Sequence, residues 1–352
     1  MATLNIKNTV LVSSNQLSDV PAMTIGLHGP LTFPSDLSDM GSKLPIHEVY
    51  GNTNLYAISK KVFDLQVENA EKDLGEKFAD RVSIEKELKK ASVILTNTHE
   101  AIDQRRPLMR NVLDIGGLTV SIGSNLSEYH QALVGKWIKI VVIDLPQGMP
   151  KEYLYSIRNA TQRFKKVLFV WKYKKLDEFR SEEFLNIIYE PKIPHAIIER
   201  STRVIMTARR RKILNAAAVG VPMVLVPLKG FDFSNAEIAR ETDLAQVLRK
   251  SDLGKPDQVA RAITNLLNLS PRHKLTIEAV KKRMQDSQKT AKETILNMLN
   301  ETFSQPLPPN FSYSTPYSHP VTVLHIINVA FYTITLTFVV LYIYVATKLM
   351  YD

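Results

Sequence analysis

The chain has 352 residues, 45% hydrophobic and 23% charged, enough apolar material for one large or two smaller packed domains. It contains no cysteine, which excludes disulfides, thiolate metal sites and cysteine nucleophiles. A formal net charge of +10 could serve nucleic acid or an anionic membrane surface. The basic residues are spread along the chain without a nucleic-acid motif, so no nucleic acid is expected as a partner.

In chain order, the first residues carry Lys7 but no apolar core of the length a signal peptide needs. Residues 10–12 and 23–25 read as short strands, and 26–39 as a loop rich in Pro, Ser and Gly. Residues 57–90 are helical in pattern and rich in Lys and Glu. ASVILTN at 91–97 reads as a buried strand, and NVLDIGGLTV at 111–120 as a strand leading into a glycine turn. Residues 137–143 form the next apolar run, followed by Asp144, Leu145 and Pro146. An amphipathic helix is expected over 149–163 and a strand, KVLFVWKY, over 166–173.

The stretch 203–237 organises the second half. Its apolar run 204–206 reads as a strand, 207–212 as a basic turn, and Ala-rich 213–219 as a helix closed by Gly220. A second strand follows over 221–227, then a loop over 229–232. Strand, helix and strand in this order make a βαβ unit of a parallel sheet. Ligands bind such sheets at the carboxyl ends of the strands, which selects the basic turn and the 229–232 loop. Further helices are expected at 235–241, at 257–267, and as one long helix or a pair at 272–300.

Residues 304–321 form a proline-rich linker. The segment 322–347 is nearly uninterrupted apolar sequence, and about 20 such residues cross a bilayer core, so a transmembrane helix is expected there with a short tail at 348–352. Five N-x-Ser/Thr sequons, at Asn125, Asn159, Asn268, Asn300 and Asn310, exceed the two or three roughly expected by chance and favour lumenal exposure. With no signal sequence, the body could face either side of that membrane.

GVPMVLVPLKGFDFSNA resembles the donor-sugar signature of the membrane-anchored animal UDP-glucuronosyltransferases and UDP-glycosyltransferases. Gly220, Val221, Pro222, Pro227, Gly230, Asn235 and Ala236 match it, and ASVILTN, NVLDIGG and KVLFVWKY extend the likeness. The ligand positions differ. Thr207, Ala208 and Arg209 stand where the family has His-Gly-Gly, and Asn215 where it has a helix Glu. Phe231 and Asp232 take the place of its Asp-Gln, and Tyr189 to Lys192 that of its Trp-Leu-Pro-Gln. Asp144 to Pro146 replaces its Ser-x-Gly-Ser turn, while SIGSN at 121–125 resembles that turn but precedes the strand.

The resemblance implies an α/β, GT-B-like two-domain fold. Residues 1–130 would be a truncated acceptor-type domain and 131–303 a UDP-sugar donor-type, Rossmann-like domain, with the C-terminal transmembrane helix after the linker. It also implies hexosyl or glucuronosyl transfer from a UDP-sugar co-substrate to a small lipophilic acceptor, without cofactor or metal. Placement in the endoplasmic reticulum membrane and a homo- or heterodimer with family members follow from the same likeness. The alternative is a non-catalytic relative acting as a membrane-anchored binding or dimerisation partner.

Candidate donor contacts are Thr207, Arg209, Arg210, Asn215 and Asp232. Guanidinium groups could hold a diphosphate in place of an amide cradle, or they could simply be solvated. Thr207 could bond a phosphate or be a strand-end hydroxyl. Asn215 could bond a ribose or lie on the helix surface, and Asp232 could meet sugar hydroxyls or be a loop carboxylate. The family's catalytic His region has no counterpart in this sequence, so the catalytic residue is unknown. His28 is the remaining candidate, since His319 and His325 lie too near the apolar segment.

Overall fold

The computed structural model describes residues 8–27, 33–41, 43–78, 83–103, 109–118, 120, 125–146, 148–173, 185–200, 202–304 and 330–343. His28, the 121–124 turn, the linker, His319 and His325 lie outside the described residues.

Two parallel sheets form the frame. The first is β1 (Val10–Ser13), β2 (Val93–Thr96) and β3 (Val112–Asp114), paired in that order. Around it lie α1 (Asp19–Thr24), α2 (Val49–Phe78) and α3 (Ile84–Lys89). The strand expected at 23–25 is the end of α1. Its backbone turns in after Ser18, and Ala22 and Ile25 are buried against Ile94 and Val112. The NVLDIGG turn follows β3. A Cβ on Gly116 would meet the Thr98 carbonyl oxygen at 2.3 Å, so only glycine allows the two backbones to approach.

The second sheet has six parallel strands. In chain order they are β4 (Lys139–Asp144), β5 (Val167–Lys172), β6 (Ile187–Glu190), β7 (Thr202–Thr207), β8 (Met223–Leu225) and β9 (Ala245–Val247). They lie side by side as β6-β5-β4-β7-β8-β9, so the strand order reverses between β4 and β7. Neighbouring β4 residues serve opposite faces. Ile140 and Val142 enter one core, Val141 and Ile143 the other. A sheet buried on both faces needs such uninterrupted apolar runs, which is why KIVVI and VLFVW show no alternation.

One face is covered by α4 (Glu128–Gly135), α6 (His195–Arg200), α7 (Arg210–Val219), α8 (Asp232–Glu241) and α11 (Pro271–Ser304). The other is covered by α5 (Lys151–Thr161), α9 (Lys250–Leu253) and α10 (Pro256–Leu267). Gly220 ends α7 with φ +75°, the left-handed residue its sequence position calls for. The 207–212 turn is shorter than expected, because α7 already begins at Arg210. Asp232 likewise opens α8 instead of lying in a loop. The long C-terminal helix is a single element, α11. It buries Ile277, Val280 and Met284 and also bonds the first half, Gln288 Nε2 donating to the Val120 carbonyl at 2.7 Å.

The expected transmembrane helix is corrected. Among the described residues, no helix is long and apolar enough to cross a membrane. Residues 330–343 are helical. The Phe331 ring stacks on Tyr50 of α2 with centroids 4.6 Å apart. The expectation of a single-pass protein of the endoplasmic reticulum membrane is overturned on the same ground.

Candidate functional site

The carboxyl ends of both sheets meet in one cleft. In an open α/β sheet the binding crevice lies where the strand order reverses, here at the ends of β4 and β7. Asp144 ends β4, Thr207 ends β7, and the two are cross-strand partners. Thr207 is fully buried; its hydroxyl donates to the Asp144 carbonyl at 3.0 Å and accepts from the Arg209 amide at 3.3 Å. It therefore closes a strand end and has no face toward a ligand.

The Asp144 side chain fills the crevice. It is fully buried, with Lys172 Nζ at 3.4 Å from one carboxylate oxygen and Lys212 Nζ at 3.3 Å from the other. Among the described residues these two ammonium groups are its side-chain partners. Lys172 ends β5 and Lys212 sits in the first turn of α7. Burial pushes the Lys212 ammonium below its usual range, against the pull of Asp144.

Arg210 points the other way. It is buried, donates from Nη1 to Asn235 Oδ1 at 3.1 Å and from Nη2 to the Asn97 carbonyl at 3.1 Å, and ion-pairs with Asp103. Asn97 and Asp103 follow β2 in the first half, and Asn235 lies on α8. The guanidinium thus ties the second sheet to the first and is spoken for. Nearby, burial holds the His99 imidazole below its ordinary range. Its Nδ1 accepts from the Ala101 amide at 3.1 Å, which leaves Nε2 to donate to the Ser287 hydroxyl of α11.

Open space remains beside these groups. A cavity of about 540 Å³ is lined by Val12 to Asn15, Asn97, Ile115 and Arg209 to Arg211. A smaller one of about 250 Å³ shares Asn15 and Arg210 with it and adds Lys229 to Asp232 and Asn235. Neither is lined by Asp144, Lys172 or Lys212. Of the expected contacts, Arg209, Arg210 and Asp232 thus reach the cleft, whereas Thr207 and Asn215 do not. Asn215 is buried within α7. Asp232 accepts from the Leu228 and Lys229 amides at 3.4 and 3.3 Å, and burial nonetheless raises its carboxyl above the usual range. Tyr189, at the Trp-Leu-Pro-Gln position, packs its ring on Trp171 at 5.8 Å.

Sequence reading takes Arg211 and Lys212 only as part of the basic turn, and passes over Asp144 as a group in its own right along with Lys172 and His99. A charged residue directly closing an apolar strand, as in KIVVID and VLFVWK, was the available signal.

No family model matches the chain. The Caenorhabditis elegans proteins ugt-56 and ugt-55, named for the UDP-glucuronosyltransferases, are each 26% identical to it, over 97% and 96% of its length. The chain spans 67% of each of them. Among solved structures, the glycosyltransferase of kitacinnamycin superposes with a TM-score of 0.52 at 14% identity. That match covers 67% of this chain and 62% of the other. A UDP-glucose:anthocyanidin 3-O-glucosyltransferase in complex with UDP gives 0.51 at 14% identity, over 60% and 54%. These two likenesses establish the GT-B-like arrangement of the sheets. Together with the donor signature, the relatives matched along nearly the whole chain make it similar to the UDP-glucuronosyltransferases and UDP-glycosyltransferases, from which it diverges at the ligand positions.

Proposed function

We propose that this chain is a non-catalytic UDP-glycosyltransferase relative, a binding or dimerisation partner that does not by itself turn over a UDP-sugar. The observation behind this reading is the buried Asp144 carboxylate between Lys172 and Lys212 at the β4–β7 crevice. A diphosphate entering there would meet a fixed negative charge, and two of the cations it would use already have a counter-ion. Arg210, the buried guanidinium of the same helix start, is committed to Asp103.

Titrating the protein with UDP by calorimetry tests this. No saturable binding is expected up to about 1 mM, which places any dissociation constant above that value. Micromolar UDP binding, with release of UDP from UDP-glucose in the presence of a small lipophilic alcohol, would overturn it.

The second reading is hexosyl or glucuronosyl transfer from a UDP-sugar to a small lipophilic acceptor. Asp232 favours it: this half-buried carboxylate lines the smaller cavity with Lys229 and Asn235, where sugar hydroxyls could be bonded. Under that reading Asp232→Ala would abolish turnover while leaving UDP affinity within about threefold.

A further inference from the structure

We infer that the larger cavity between the two sheets is a binding site for a small amphipathic anion, an oxyanion head carried on an apolar body. Its volume of about 540 Å³ falls in the range of small-molecule pockets, roughly 300–1,000 Å³. The head-group site is the pair Arg209 and Arg211. Both line the cavity, both are exposed, and neither guanidinium has a hydrogen bond or ion pair among the described residues.

The contrast with Arg210, between them in sequence, is the argument. The first turn of α7 directs one guanidinium into a protein-made set of acceptors and leaves its two neighbours unneutralised at the cavity wall. Of the carboxylates at this end of the first sheet, Asp103 pairs with Arg210, and Asp114, which accepts from the Thr96 and Thr98 hydroxyls, makes no ion pair with either arginine among the described residues. Planar guanidinium groups bind carboxylate, sulfate or phosphate oxygens in pairs, which makes an oxyanion the fitting occupant.

The apolar lining sets the rest of the ligand. Val12 of β1 is 62% exposed, and Ile115 beyond β3 lies half-buried beside the same space. These offer apolar surface a few residues from polar groups. The Asn15 side chain, at the junction of the two cavities, adds a donor and an acceptor. The backbone beneath is braced, with Asn97 Nδ2 donating to the Ser14 carbonyl at 2.8 Å and the Asn97 amide to the Asn15 carbonyl at 3.1 Å. The site is thus built on strand ends and a helix start, and it does not depend on whether the β4–β7 crevice accepts a nucleotide.

The test is calorimetric titration of the full chain with octyl phosphate, octanoate, octanol and inorganic phosphate, in wild type, Arg209→Ala/Arg211→Ala and Val12→Ser. Octyl phosphate or octanoate should saturate one site, and the tighter of the two identifies the head group. Octanol and inorganic phosphate should each bind at least tenfold more weakly than that anion. The double arginine variant should lose at least tenfold in affinity for it, and Val12→Ser a smaller amount, with unchanged thermal midpoints in the absence of ligand. The inference is overturned if neither anion saturates a site or if the double variant binds as wild type does. It is equally overturned if octanol or inorganic phosphate alone matches the amphipathic anion. UDP affinity is read in a separate titration, so the two results can fail independently.

Discussion

Arg210, in the first turn of α7, and Asp103, in the loop after β2, form an ion pair whose two side chains are 6% and 3% exposed. It joins the two sheets where their strand ends meet. Further bonds to the Asn97 carbonyl and Asn235 use up the guanidinium, and the His99 amide donates to Asp103 Oδ2 at 2.6 Å. Removing one partner strands the other charge in a water-poor place. Arg210→Met should destabilise the protein by about 3–5 kcal/mol, and Arg210→Lys should recover only part, since an ammonium cannot reproduce the planar fork. Urea denaturation measures both.

Asp144 and its lysines allow a gain-of-binding test. Asp144→Ser removes the fixed charge at the β4 end and frees Lys172 and Lys212. Pyrophosphate and UDP should then bind at least tenfold more tightly than to wild type, about 1.4 kcal/mol. Calorimetry reads this, and equal affinities in the two proteins would refute the role given to Asp144.

His99 makes stability depend on pH in a stated direction. Burial lowers its folded pKa below the unfolded value near 6.5. As pH falls through about 6.5 the unfolded chain takes up the proton first, so stability present above that pH is lost down to the folded pKa. His99→Gln should cost about 1–2 kcal/mol at pH 7.5, from the Ser287 contact, yet lose less than wild type between pH 7.5 and 5.5. Thermal midpoints at the two pH values provide the comparison.

Gly116 lies against a second backbone segment in the first half. Gly116→Ala places a methyl 2.3 Å from the Thr98 carbonyl oxygen, and neither segment has a flexible side chain to yield. A loss of about 1–3 kcal/mol is expected, visible as a lower thermal midpoint. Gly135→Ala, where a Cβ meets nothing within 4 Å, is the matched control.

The second sheet was legible from residue order because its physics is local. KIVVI and VLFVW can only be buried strands, and Gly220 can only end a helix. Even so, β6 and β9 went unread, since four- and three-residue strands such as IIYE carry too little pattern. At 23–25 an apolar triplet suited a strand as well as a helix, and packing on β2 decided for the helix. At the C-terminus, hydropathy alone suggested a membrane span, whereas among the described residues no helix is long and apolar enough to cross a membrane.

Residue order alone established the family signature, the βαβ unit and the cluster of cations at 209–212, because these depend on neighbours along the chain. It could not tell those cations apart. Four consecutive basic residues read alike until the helix turns them by about 100° each, a rotation set by its 3.6-residue period. Folding then sends Arg210 to Asp103 and Lys212 to Asp144, and leaves Arg209 and Arg211 at the cavity. Charge pairing between residues that stand 107 and 68 positions apart is a property of the packed chain, and that pairing assigns each cation its role.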